Sequence, residues 1–241
     1  MAFLTEKDFL KFEIHDTLNK KLWDGMRLKS DVRKQLLKIA NAFHKYMNLN
    51  AKIKDVIITG SSSNYNYSSE YSDIDLHLLY DFDEILNEEE ISSVEELVRE
   101  YMLTKKSNWN DKFDIKINGL EVEVYPQDIN DEHKASGQFS LVKNEWNVKP
   151  SKSIPEFDSK SAEVKAADLQ NLIEKSIKNT DSVEKLEKIA DKIKKLRQSG
   201  LDSPKGEFST ENLAFKILRR NGSMEKLFNQ IDKVRQQDLS L

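Results

Sequence analysis

Cysteine is absent from this chain of 241 residues, and histidine, proline and glycine are scarce, at four, four and seven residues. Without cysteine the chain can form neither a disulfide nor a thiolate zinc site. The histidines, at positions 15, 44, 77 and 133, are too scattered to be paired at the usual ligand spacing. A metal bound here must therefore be a hard cation held by oxygen atoms.

Long apolar runs are also absent, since none approaches the ~20 residues that a membrane helix needs. The start of the chain, Met1–Asp8, lacks the basic and then apolar layout of a secretory signal. We therefore expect a cytoplasmic protein with no membrane partner. Its 38 basic and 42 acidic residues leave a net charge of -4, so the overall charge does not attract nucleic acid, although it allows a local basic patch.

The first part of the chain mixes helical and strand patterns, and its hydrophobic content of 38% is sufficient for a core. Capping residues predict one helix near Thr5, another from Ser30 and a third from Ser93. The apolar run Val56–Ile58 predicts a buried strand that ends in a glycine turn, and Ile74–Tyr80 predicts a second strand.

From about residue 150 the pattern changes, because Pro150 and Pro155 bracket a link and no alternating strand follows. Four residues that favour helix starts follow the link: Ser161, Asp181, Ser209 and Ser223. Gly200 is expected to end the second of these helices. The sequence thus predicts an α+β protein, with a small mixed β-sheet and flanking helices over residues 1–150 and an all-helical module over residues 151–241.

Two aspartates, Asp73 and Asp75, open the second predicted strand. Residues two apart on a strand point to the same face about 6.5 Å apart, so both carboxylates can converge on a divalent cation. Burying two like charges together otherwise costs several kcal/mol, although a solvated edge strand that discourages aggregation is an alternative explanation. The preceding turn, Thr59–Ser63, offers backbone and hydroxyl donors to phosphate, and metal with phosphate indicates nucleotide chemistry.

A hairpin is predicted around Asn118-Gly119, the preferred pair for a two-residue type I′ turn. Such a turn fixes four facing pairs: Ile117 with Leu120, Lys116 with Glu121, Ile115 with Val122, and Asp114 with Glu123. The last pair places two carboxylates against each other, which is unfavourable unless a cation lies between them. The predicted register therefore nominates Glu123 as a third acid of the site.

Gly60-Ser61, eleven intervening residues, Asp73-Ile74-Asp75 and an acid on a later strand together resemble the signature of the DNA polymerase beta-like nucleotidyltransferase superfamily. The resemblance covers roughly residues 28–130, and Val122–Pro126 is similar to the strand ending that carries the third acid in several members. It implies a palm-like core that transfers a nucleoside monophosphate from an NTP, expected to be ATP, to an acceptor hydroxyl and releases pyrophosphate.

The same resemblance implies roles for individual residues. Three acids would be catalytic and would bind two Mg²⁺ or Mn²⁺ ions: Asp73, Asp75 and Glu123. The nucleotide phosphates would be held by a second set: Gly60, Ser61, Ser62, Lys216 and Arg220. Aspartate is more frequent than glutamate at the third acid, which leaves the role of Glu123 open between metal ligand and general base. For the two basic residues, four apart on a predicted helix, a solvated helix face is the alternative.

The acceptor is not defined by the sequence. We favour an RNA 3′ end because of a basic run, Lys194–Arg197, together with Lys216, Arg219 and Arg220, although these residues also fit a plain surface. A protein, a small molecule or a second nucleotide are the other acceptors. A non-catalytic module that binds nucleotide or a protein partner is the alternative from another class.

Several further residues are candidates for contacts around the predicted site. His77 shares the strand face of the two aspartates, so it is expected beside the metals or against Glu123, unless it is an ordinary half-buried histidine. The segment Asn64–Tyr67 offers rings that stack on a base or reach the ribose, with an exposed loop as the alternative. His133 and Ser136 are candidate contacts to the acceptor or to the base.

Overall fold

A computed structural model of the chain describes residues 14–68, 72–85, 91–131, 135–152, 157–179 and 182–239. The described residues divide into two compact units, the first over residues 14–152 and the second over residues 157–239. The predicted α+β class is confirmed, because the first unit contains a mixed sheet with helices and the second is helical. The helix predicted near Thr5, and the residues His133, Pro155 and Asp181, lie outside the described residues.

The first unit contains three α-helices and eight strands within the part of the chain that is described. The helices are α1 (Ser30–Met47), α2 (Phe82–Ile85) and α3 (Ile91–Lys112). The strands are β1 (Trp23–Asp24), β2 (Arg27–Leu28), β3 (Asp55–Thr59), β4 (Ile74–Tyr80), β5 (Lys116–Ile117), β6 (Leu120–Asp128), β7 (Gln138–Ser140) and β8 (Glu145–Val148). A short 3₁₀ turn, Ser61–Ser63, lies between β3 and β4.

Six strands form one sheet in the order β5-β6-β4-β3-β7-β8, and β1 and β2 form a separate ribbon. Strands β4 and β6 are parallel, whereas the other neighbours in the sheet are antiparallel. Along β4 buried and half-buried residues alternate, as the pleat of a strand requires. Its buried face is apolar, whereas Asp75 and His77 lie on the half-buried face. The central strand therefore separates the core from the polar candidates.

The predicted helix is present as α1, but Ser30 is its first residue and not its cap, because Lys29 is the N-cap residue. Its buried residues recur at helical spacing and join the core of the first unit: Val32, Leu36, Ala40, Phe43 and Met47. Helix α3 already includes Ile91 and therefore contains Ser93, so the prediction that Ser93 caps this helix is wrong. Capping sequences mark a helix start only within a few residues, since tertiary packing sets the first turn.

The predicted hairpin register is confirmed at two positions, where Lys116 faces Glu121 and Ile117 faces Leu120. Asn118 and Gly119 both have positive φ, of 51° and 79°, as a type I′ turn requires. Strand β5 is only two residues long, however, and the predicted extension back to Phe113 is wrong. The carboxylate of Asp114, outside the strand, lies 3.0 Å from the ammonium of Lys116.

Within its described residues the second unit contains the helices α4 (Ser159–Asn179), α5 (Val183–Leu201), α6 (Thr210–Arg220) and α7 (Ser223–Leu239), and this confirms the helical prediction. Ser182 is the N-cap of α5, and Ser209 caps α6 as predicted. Gly200 does not end α5 but lies buried within it, where a Cβ would come within 2.5 Å of the Ser209 hydroxyl. Among the helices with described residues, none has the length and apolar character of a membrane span.

Candidate metal centre

Three carboxylates meet at one edge of the central strands. Asp73, Asp75 and Glu123 are half-buried, and each offers an oxygen that lies within 4.8 Å of the other two. The parallel register of β4 and β6 places Asp75 directly beside Glu123. Asp73 immediately precedes β4, two residues before Asp75, and this spacing brings it to the same face. Two neighbouring strands therefore position the whole set of acids.

The chemistry of these donors fits a divalent hard cation. Three carboxylates so close together repel one another, and a cation between them removes that repulsion. Carboxylate oxygens are the ligands that Mg²⁺, Mn²⁺ and Ca²⁺ favour, and the chain has no thiolate to attract softer metals. The residues present therefore match the class of metal that the sequence predicted.

Glu123 lies beside a different carboxylate from the one that the hairpin register predicted. The predicted like-charge neighbour, Asp114, is exposed by 73% and paired with Lys116, beyond the end of the β5 ladder. The like-charge neighbour is instead Asp75, which the parallel pairing with β4 supplies. The predicted hairpin register thus pointed to a residue that the structure places with the other acids, but it named the wrong neighbouring carboxylate.

Gly60 brings the turn after β3 directly against the acids. Its φ is 71°, and a Cβ built on it would lie 2.0 Å from Oδ2 of Asp75. The antiparallel register of β3 and β4 accounts for this approach, because Thr59 is paired with Asp75. The next residue, Ser61, is half-buried, and its hydroxyl lies 2.9 Å from that of Ser72. A glycine is required here by both the backbone conformation and the space.

The serines after Ser61 hold the turn in place. Ser62 is fully buried, its hydroxyl donates to the carbonyl of Thr59, and its own carbonyl accepts from the indole of Trp23. The Ser63 hydroxyl lies 2.8 Å from the carbonyl of Gly137. That Ser62 contacts a phosphate stays a prediction.

Tyr125 is the member of this site that the sequence prediction missed. Its hydroxyl donates a hydrogen bond to Oε2 of Glu123. Burial, and next the negative charge of Asp75, raise the pKa of Tyr125 well above its usual range, so the phenol stays protonated and remains a donor. The signal was available, because Tyr125 is two residues after Glu123 and therefore shares its face of β6.

His77 lies next to Tyr125. The two rings are stacked, with centroids 4.8 Å apart and an interplanar angle of 15°. Nδ1 of His77 lies 2.8 Å from Oε1 of Gln127, two residues further along β6. His77 was predicted beside the metals or against Glu123, and it is linked to Glu123 through the ring of Tyr125.

The segment Asn64–Tyr67 is engaged with other parts of the first unit. Asn64 is buried and donates to the hydroxyl of Ser136. The ring of Tyr67 stacks on His15 with centroids 3.9 Å apart. Lys152 lies 5.3 Å from the ring centroid of Tyr65. The prediction that these rings stack on a base is therefore not tested, but one face of Tyr67 is already covered.

Lys216 and Arg220 lie on α6 of the helical unit. Burial lowers the pKa of Lys216, and Arg220, Arg219 and Arg197 lower it further, whereas Glu207 opposes this shift. The guanidinium of Arg197 lies 4.6 Å from the ring centroid of Phe215. A concentration of positive charge thus exists within this unit. That Lys216 and Arg220 bind a triphosphate stays a prediction.

Comparisons with known proteins give little beyond this geometry. No protein-family model matches the chain, and no curated protein sequence matches it. Among solved structures it is similar to the STING-associated CdnE c-di-GMP synthase from Capnocytophaga granulosa, with a TM-score of 0.25 and 10% sequence identity. The similarity covers 89% of this chain and 84% of that chain. A TM-score this low assigns no family, so the candidate site depends on its own geometry.

Proposed function

We propose that this protein is a metal-dependent nucleotidyltransferase that moves a nucleoside monophosphate from an NTP to an acceptor hydroxyl. The observation that carries the proposal is the convergence of three carboxylates against a glycine turn. The acids would hold Mg²⁺ or Mn²⁺, and the turn would approach the phosphates. ATP is the expected donor because of the superfamily signature that Gly60-Ser61 and Asp73-Ile74-Asp75 resemble.

The reaction forms one bond and breaks one bond at the α-phosphorus of the NTP. The acceptor oxygen bonds to phosphorus, the bond to the bridging oxygen breaks, and pyrophosphate leaves. Bound divalent ions would supply charge neutralisation on the attacking and leaving oxygens. Asp73, Asp75 and Glu123 would hold those ions in place. The proton of the acceptor hydroxyl would pass to a carboxylate of the site or to water. Ser61, which is half-buried within the turn, would donate to a phosphate oxygen.

Four classes of acceptor are compatible with the proposed reaction. An RNA 3′ end, a protein hydroxyl, a small molecule and a second nucleotide would all use the same three acids. The basic side chains of α6, Lys216 with Arg219 and Arg220, would suit a polyanionic acceptor. A chain that binds nucleotide without turning it over is the second candidate, and the presence of all three acids argues against it.

Replacing Asp75 with asparagine tests the proposal. The protein is incubated with each α-labelled NTP and Mg²⁺ or Mn²⁺, with RNA, protein or a second nucleotide as acceptor, and both pyrophosphate and labelled product are measured. We expect Asp75→Asn and Asp73→Asn to lower turnover by about 100-fold or more, because each removes a charge from the site of reaction. Asp114→Asn, which removes an exposed carboxylate of the same unit, should leave turnover within about twofold.

Two results would contradict this assignment. Equal turnover by the Asp75→Asn and Asp114→Asn chains would separate the activity from the three acids. Metal-dependent nucleotide binding with no turnover on any acceptor would identify the protein as a binding module instead.

A further inference from the structure

The longest of the three acidic side chains has a specific anchor. Glu123 has one more rotatable bond than an aspartate, so it has more conformations to lose when it binds a metal. The hydroxyl of Tyr125 donates to its Oε2, and this hydrogen bond restricts where both carboxylate oxygens lie. A hydrogen bond of this kind is what orients metal-binding carboxylates in proteins.

The backbone between these two residues is also held. Asn110 of α3 accepts from the N–H of Val124 at 3.1 Å and donates to its carbonyl at 3.3 Å. Strand β5 pairs with β6 only as far as Glu121, and one further hydrogen bond runs from the N–H of Val122 to Ile115. Asn110 therefore takes the place of a neighbouring strand beside Glu123 and Tyr125.

The ring of Tyr125 is fixed by two further side chains. Lys106 lies one helical turn before Asn110, on the same side of α3, and its ammonium is 3.9 Å from the ring centroid. The imidazole of His77 stacks on the same ring. The phenol is thus held by groups from α3 and β4 before any metal binds, so its hydroxyl has a defined direction.

We propose that Tyr125 is a positioning residue of the metal centre, which acts by holding the carboxylate of Glu123 in the orientation that binds the ion. This inference rests on the proposed function, because that function assigns a metal to the three acids. Tyr125 does not touch the reacting atoms in this proposal. Its contribution is the preorganisation of Glu123, and its loss weakens metal binding before it affects the chemistry.

The test replaces Tyr125 with phenylalanine, which removes the hydroxyl and keeps the ring. Mn²⁺ binding to the protein without nucleotide is measured by electron paramagnetic resonance. We expect the Kd for Mn²⁺ to rise about 10-fold to 100-fold. Tyr101→Phe is the matched control, because the Tyr101 hydroxyl donates to the carbonyl of Met47, and its Kd should match that of the unaltered protein.

A double variant shows whether Tyr125 acts through Glu123. In a Glu123→Gln chain the anchored carboxylate is gone, so adding Tyr125→Phe should change the Kd by less than about twofold. If the two substitutions raise the Kd for Mn²⁺ by factors that multiply in the double variant, the proposal is overturned. A Tyr125→Phe chain that is unfolded by circular dichroism would also overturn it, because the hydroxyl would then belong to the fold.

The outcome for the unaltered protein separates this inference from the proposed function. If the unaltered protein and Tyr125→Phe bind Mn²⁺ equally well, the positioning role is wrong and the metal centre stands. If the unaltered protein binds no Mn²⁺, the metal centre and the positioning role both fail.

Discussion

Gly60 shows how a single residue type can decide whether a site exists. The left-handed φ of this residue is accessible to other side chains only with strain, and the position of its missing Cβ is taken by the carboxylate of Asp75. A methyl group at that point would have to displace a side chain that the proposed site needs in place. The glycine therefore serves both the turn and the acids.

Gly60→Ala should lower turnover by about 100-fold or more, since displacing a reacting group by 1 Å is sufficient for that loss. The substitution should also destabilise the protein by about 1 kcal/mol or more, because φ is positive. Gly25→Ala is the control, since Gly25 has a φ of 59° and no atom within 4 Å of the built Cβ. Turnover and thermal unfolding are measured for both variants, and comparable turnover would contradict the role of Gly60.

At the scale of secondary structure, α3 compensates for the shortness of β5. Strand β6 is nine residues long, but the two residues of β5 cover only its first part. A backbone that is left unpaired inside a protein is unfavourable, and the side chain of Asn110 supplies both missing hydrogen bonds at Val124. The helix thus stabilises the strand at the residue between Glu123 and Tyr125.

Asn110→Ala should lower the free energy of unfolding by about 1–3 kcal/mol, because it leaves the N–H and the carbonyl of Val124 without these partners. Urea denaturation measures the change. Asn41→Ala, at an exposed position of α1, should stay within about 0.5 kcal/mol of the unaltered protein. Equal stability of the two variants would mean that Asn110 does not support β6.

At the scale of the whole molecule, the two units have separate apolar cores. The first core combines α1 with the sheet and the second is formed by α4 to α7, and among the described residues the two cores share none. All three acids belong to the first unit. Damage to the first core should therefore weaken metal binding, whereas damage to the second core should leave it unchanged.

Leu227→Ala removes a fully buried side chain of the helical core, and Leu36→Ala removes one from the core beneath the sheet. Each should lower the stability of its own unit by about 2–5 kcal/mol. We expect Leu227→Ala to keep the Kd for Mn²⁺ within about twofold, whereas Leu36→Ala should weaken binding as the first unit unfolds. Mn²⁺ binding is measured by electron paramagnetic resonance while each variant is unfolded by heat. Loss of Mn²⁺ binding in the Leu227→Ala chain at low temperature would contradict the prediction.

Local patterns in the sequence determined much of the first unit. The lack of cysteine limited any metal to oxygen ligands, and the pleat of a strand put Asp73 and Asp75 on one face. The Asn118-Gly119 turn fixed the hairpin register. The predictions of the strand face and of the hairpin register next to the turn succeeded because each depends on residues only a few positions apart, whose geometry is nearly independent of the rest of the chain.

Only the tertiary structure decided which residues surround those aspartates. The parallel pairing of β4 with β6 brought Glu123 beside Asp75, and it also placed Tyr125 next to His77. The packing of the glycine turn also buried Ser62, whose hydroxyl donates to the carbonyl of Thr59. Neither outcome follows from local periodicity, because the segments are far apart in sequence and meet only when helices and strands pack into one core.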